Sequence, residues 1–115
     1  MSLSVDTREV DGVVIVDLGG RITLGDESSG KLRKAVRDLL AQGNKKILLN
    51  LGEVSYIDSS GLGELVSSFS TASSQGASVK LLNLQKKVQD LLQITKLYTV
   101  FEVSTNEADA ILSFS

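Results

Sequence analysis

The chain has 115 residues, 42% of them apolar, a formal net charge of -2, and neither cysteine nor histidine. That length leaves room for one domain, because two cores would each bury too little surface, and this apolar content excludes a disordered chain. The slightly acidic balance speaks against nucleic acid as the main partner, the missing cysteines exclude thiolate chemistry and disulfides, and the missing histidines exclude a Ser-His-Asp triad and imidazole zinc sites.

The first ten residues, MSLSVDTREV, lack a basic flank followed by an apolar stretch, so no secretory signal is expected. No apolar run approaches the roughly 18 residues that span a bilayer, so no direct membrane insertion is expected and the cytoplasm is the expected location. Leu3, Val5 and Val10 alternate loosely with polar residues, and Asp11-Gly12 separates them from the β-branched run Val13 to Leu18. That pattern predicts a hairpin. Leu32, Val36, Leu39 and Leu40 share one helical face in KLRKAVRDLLAQ, and Gly43 stops the helix. KKILLNL (Lys45 to Leu51) is almost continuously apolar, as in a strand covered on both faces.

A second helix is predicted from Ser60 or Gly61 to about Ser74, with Leu62, Leu65, Val66 and Phe69 inward and the serines of Ser67 to Ser74 as a solvated face. ASVKLLNL predicts a fourth strand, QKKVQDLLQI a helix with Val88, Leu91 and Leu92 inward, and TVFEV (Thr99 to Val103) a fifth strand. A final helix in TNEADAILSF has Asn106 or Thr105 as its N-cap. The order β-β-α-β-α-β-α-β-α predicts a single α/β domain over residues 1–115, with a mixed, mostly parallel sheet of about five strands and about four helices.

The chemistry-bearing stretch is YIDSSGLGEL, Tyr56 to Leu65, between the third strand and the second helix. Ligands gather at the carboxyl ends of strands in open α/β sheets, and a helix N-terminus receives anions through free N–H groups and its dipole. One reading is structural: Asp and Ser are preferred N-caps, and IDSSG is then a helix start and no more. Gly61 with Glu64 also has capping-box spacing. A nucleotide loop is disfavoured, because Val66 stands where a third glycine belongs and no G-K-[ST] follows. A phospho-accepting Asp58 is disfavoured too. Leu18 is followed by Gly19 and Gly20 where that chemistry needs an acidic pair, and Val103 by Ser104 where it needs a lysine. The remaining reading is a serine that accepts phosphate from another protein, with Gly61 and Gly63 leaving the backbone open to close approach.

ILLNLGEVSYIDSSGLGEL resembles the signature of STAS domains, and most of all the free-standing bacterial anti-sigma factor antagonists. The matching elements are Asn50-Leu51 after an apolar strand and Asp58-Ser59-Ser60-Gly61-Leu62 after a short spacer; the resemblance runs over nearly the whole chain. It implies that Ser59 is the phosphorylation site and that Asp58, Ser60, Gly61, Leu62 and Gly63 belong to the partner-binding surface. Thr23 and Asp26, from the loop that should neighbour Ser59, join them. The implied partners are an anti-sigma factor that is also a serine kinase and a serine phosphatase that resets the cycle; no cofactor and no enzymatic activity are implied. Thr23 stands where such members usually carry an acid, and the loop TLGDESSGK is slightly longer, with Asp26 and Glu27 as displaced acids. Another STAS role stays open beside this one: a scaffold or an accessory module of a membrane transporter, without a phospho-switch.

Overall fold

Asp11 and Gly12 both have positive φ, 52° and 82°, which is the backbone of a two-residue type I′ turn. They join β1 (Leu3–Val10) to β2 (Val13–Ile22) in an antiparallel pair that runs from Val10↔Val13 back to Leu3↔Gly20. The computed structural model describes residues 3–23 and 30–115. After the hairpin come α1 (Lys31–Ala41), β3 (Lys46–Ile57), α2 (Ser59–Ser74), β4 (Ser78–Leu82), α3 (Lys86–Ile94), a short 3₁₀ turn (Leu97–Thr99), β5 (Val103–Ser104) and α4 (Glu107–Leu112). The strands lie in the order β1-β2-β3-β4-β5, and every pairing except β1/β2 is parallel. The expected single α/β sheet with four helices is therefore the fold.

Helices cover the sheet unequally. Leu32, Val36, Leu39 and Leu40 of α1, Leu62 and Leu65 of α2, and Val88 and Leu92 of α3 pack with Val14, Val16, Ile47, Leu49 and Leu81 on one face. On the other face, Ala110 of the short α4 sits with Val13, Ile15, Leu48 and Leu82. Ile47, Leu48, Leu49 and Leu51 are all buried, as the continuous apolar run requires of a strand with helices above and below.

Two expectations need correction. The predicted strand at Thr99 to Val103 is a 3₁₀ turn followed by two strand residues, Val103 and Ser104. Lys96 enters that turn at φ 62°, and Phe101 turns into the core, its ring 5.5 Å from Phe69. The serine face of α2 is not wholly solvated: Ser68 is buried at the same helical face as Glu64.

β3 runs six residues beyond the predicted end at Leu51, to Ile57. Its register against β2 slips twice, between Asp17↔Asn50 and Gly19↔Glu53 and again between Gly20↔Val54 and Arg21↔Tyr56. Each slip adds one residue to β3, a bulge of the kind that bends a strand and re-aims its end. Because β4 pairs with β3 only as far as Asn50↔Leu82, the ends of β2 and β3 project beyond β4.

On the α4 side of the sheet, short of that projection, Arg8 of β1 clamps Asp17 of β2 (2.7 and 3.3 Å) and Glu107 of α4 (2.6 and 3.1 Å), and Asn50 donates to Asp17 at 2.8 Å. Hydrogen bonds from the Arg8 guanidinium hold both carboxyls below their ordinary values. Lowered folded values mean a stabilising contribution that is present above the unfolded pKa and is lost as pH falls through the folded one. The groups are more than a third exposed or close to it, so solvent screening leaves about 1 kcal/mol in total. Thermal melts of wild type and Arg8→Met should therefore differ most at neutral pH and converge below about pH 4. A gap that persists unchanged into strong acid would contradict this assignment.

Candidate functional site

Backbone geometry at the end of β3 turns a strand directly into a helix. Asp58 has extended φ/ψ (-94°, -178°) and its Oδ1 accepts from the Gly61 N–H at 2.8 Å, which makes it the N-cap of α2. Its N–H donates to the Ile22 carbonyl (3.3 Å), fastening the cap to the end of β2. The capping reading thus holds for Asp58 itself, and the helix begins at Ser59 rather than at Ser60 or Gly61. Ser59 is exposed and Ser60 half-buried. The first turn of α2 contains no acidic residue of its own, so the Asp58 carboxylate at the cap is the acid that meets its positive end.

Gly61 and Gly63 have opposite surroundings. A Cβ on Gly61 would stand 2.1 Å from the Ile22 carbonyl oxygen and 2.8 Å from its carbon, whereas a Cβ on Gly63 would meet nothing within 4 Å. Gly61 is therefore a packing glycine that lets α2 press onto the end of β2, and the expectation that it leaves the backbone open to a partner does not hold. Gly63 is exposed and does leave it open. Leu62 is buried in the main core, so its side chain supports the loop from beneath. Thr23 follows β2 directly, half-buried beside the site; Asp26 and Glu27 lie outside the described residues.

Glu64 has a role that the sequence reading missed. Its spacing from Gly61 matches a capping box, yet its Oε2 accepts from the Gly30 N–H at 2.9 Å, across the α1–α2 seam. Gly30 is the N-cap residue of α1 at φ 82°. Glu64 is only 8% exposed, and among the described residues its Oε1 has no hydrogen-bond partner. The carboxylate pins the start of α1 to the first turns of α2. Glu64→Ala should cost about 1–2 kcal/mol, since it strands a half-buried N–H, while Glu64→Gln keeps an oxygen acceptor and should cost less. Urea denaturation of the two variants checks the order; equal losses would count against the clamp.

A STAS domain family model matches residues 4–110. The chain belongs to the STAS domain family. Over 104 residues it is 34% identical to the anti-sigma-B factor antagonist of Bacillus subtilis, covering 90% of this chain and 93% of that one. A crystal structure from Thermotoga maritima, described as a candidate anti-sigma factor antagonist, superposes with a TM-score of 0.86 at 29% identity, over 95% of this chain and 92% of that one. SpoIIAA, an anti-sigma factor antagonist from Bacillus, shares the fold in both recorded forms. The unphosphorylated form gives a TM-score of 0.70 at 17% identity over 96% of each chain, and the phosphorylated form 0.73 at 21% identity over 97% of this STAS domain and all of SpoIIAA. Among the described residues no helix is long and apolar enough to cross a membrane, and no cluster of acidic residues is arranged to hold a metal ion.

Proposed function

We propose that this STAS protein is an anti-sigma factor antagonist whose binding to a kinase-type anti-sigma factor is switched off by phosphorylation of Ser59. The observation that carries the reading is the exposed Ser59 hydroxyl on the first residue of α2, immediately after a cap already supplied by Asp58. Because Asp58 takes the capping task, Ser59 is not needed for it and is left to another use. The 34% identical Bacillus subtilis relative carries the antagonist name, and SpoIIAA, which shares the fold, is known in phosphorylated and unphosphorylated forms.

In the proposed cycle the unmodified protein docks over Thr23, Asp58, Ser59, Ser60 and Gly63, with Gly61 and Leu62 holding that surface in shape. The kinase then passes the γ-phosphoryl group of ATP to Ser59 Oγ: an Oγ–P bond forms, the bond to the β-phosphate oxygen breaks, ADP leaves, and the hydroxyl proton goes to a base on the kinase. A phosphatase hydrolyses the ester and restores the hydroxyl. Incubation with kinase-type anti-sigma factors of the source organism and Mg-ATP, followed by phosphopeptide mass spectrometry, tests the assignment. One phosphate on Ser59, absent from Ser59→Ala, is the expected result. Modification of Ser60 instead, or none with any such kinase, would overturn it.

A further inference from the structure

Arg21 and Tyr56 face each other across the ends of β2 and β3, two residues before Thr23 and Asp58 respectively. The strand positions that follow them fix their orientation. Ile22 and Ile57 belong to the core beneath α1 and α2, so strand alternation turns Arg21 and Tyr56 to the opposite face. On that face α4 covers only the region of Val13, Ile15, Leu48 and Leu82. At the projecting ends nothing described covers the pair: Arg21 is exposed and Tyr56 is 40% exposed. The Arg21 guanidinium lies 4.7 Å from the Tyr56 ring centroid. Among the described residues it has no hydrogen-bond or ion-pair partner. Glu53, the exposed acid opposite Gly19, forms no salt bridge with it.

An arginine stacked on an aromatic ring has lost much of its side-chain freedom while all five of its donors still point outward. Such a group is prepared for a planar, bidentate acceptor, and a carboxylate is the acceptor that a protein surface supplies. The second register slip of β3 falls immediately before this pair and brings Tyr56 under Arg21. We propose that Arg21, held over the Tyr56 ring, is a second contact for the anti-sigma factor kinase and receives a carboxylate from that partner. The contact rests on the phospho-switch reading and extends its surface from the α2 mouth to the far face of the sheet.

The test uses the kinase that phosphorylates Ser59, titrated without ATP at low and at physiological-to-high salt. Arg21→Ala should weaken binding about three- to tenfold at low salt, and Arg21→Glu about thirtyfold or more, through slower association. Both losses should shrink as salt shortens the Debye length to a few Å. Tyr56→Phe keeps the ring and should bind as wild type, whereas Tyr56→Thr releases Arg21 and should behave as a partial Arg21→Ala. Unchanged melting temperatures would confine these effects to the surface. Arg21→Glu binding as well as wild type, or better, sinks the acidic contact while leaving the Ser59 cycle intact. Failure of every kinase to phosphorylate the wild type removes the cycle and this contact together.

Discussion

Gly61→Ala is expected to destabilise the fold by about 3 kcal/mol or more, a loss of more than roughly 10 °C in melting temperature for a domain of this size. A methyl group there would be driven into the Ile22 carbonyl at 2.1 Å. That oxygen is backbone and already accepts from the Asp58 N–H, so the helix must lift or β2 must bend. Gly63→Ala is the matched control, two residues further along the same helix with open space around it. Alanine outranks glycine in helix propensity by about 0.8–1 kcal/mol, so that variant should melt at or above wild type. Thermal unfolding of both proteins decides the matter. A Gly61→Ala protein as stable as wild type would mean that the α2–β2 approach is looser than described.

Ser59→Asp should abolish most partner binding while leaving unfolding almost unchanged. The side chain is exposed, and a negative charge at the start of α2 gains about 0.3–1 kcal/mol from the helix dipole. The partner meets a harder case. Phosphoserine adds a charge of about -1.5 to -2 beside Asp58, and docking would have to desolvate it. A penalty of about 3 kcal/mol lowers affinity roughly a hundredfold. Ser59→Ala should bind like the unmodified protein and resist release by ATP. Titration calorimetry with the kinase measures all three; equal affinities for the Asp and Ala variants would end the phospho-switch account.

Element type and order were legible because the cues are local. Asp11-Gly12 announces its turn, the Leu32/Val36/Leu39/Leu40 stripe its helix, and Ile47 to Leu51 a strand buried on both faces. The resemblance in Asp58 to Leu62 marked the position of the site. What stayed hidden depends on partners distant in sequence. Residues 52–57 look like loop, with a glycine and two charged or polar side chains, and become strand only because β2 is there to pair with them through two bulges. Gly61 reads as an open glycine until Ile22, some forty residues earlier, is brought against it. Glu64 reads as part of its own helix's cap until Gly30 arrives from α1. Ser68 reads as solvated until its face of α2 meets the interior.

The antiparallel first hairpin has a practical corollary for anyone wishing to watch this molecule work. Since Leu3 pairs with Gly20, a tag or surface linker placed ahead of β1 emerges on the docking side and would crowd an incoming protein. Ile111 and Leu112 instead line one cavity with Val10 and Asp11 at the opposite pole, which makes the stretch after α4 the proper handle for immobilisation or a fluorophore.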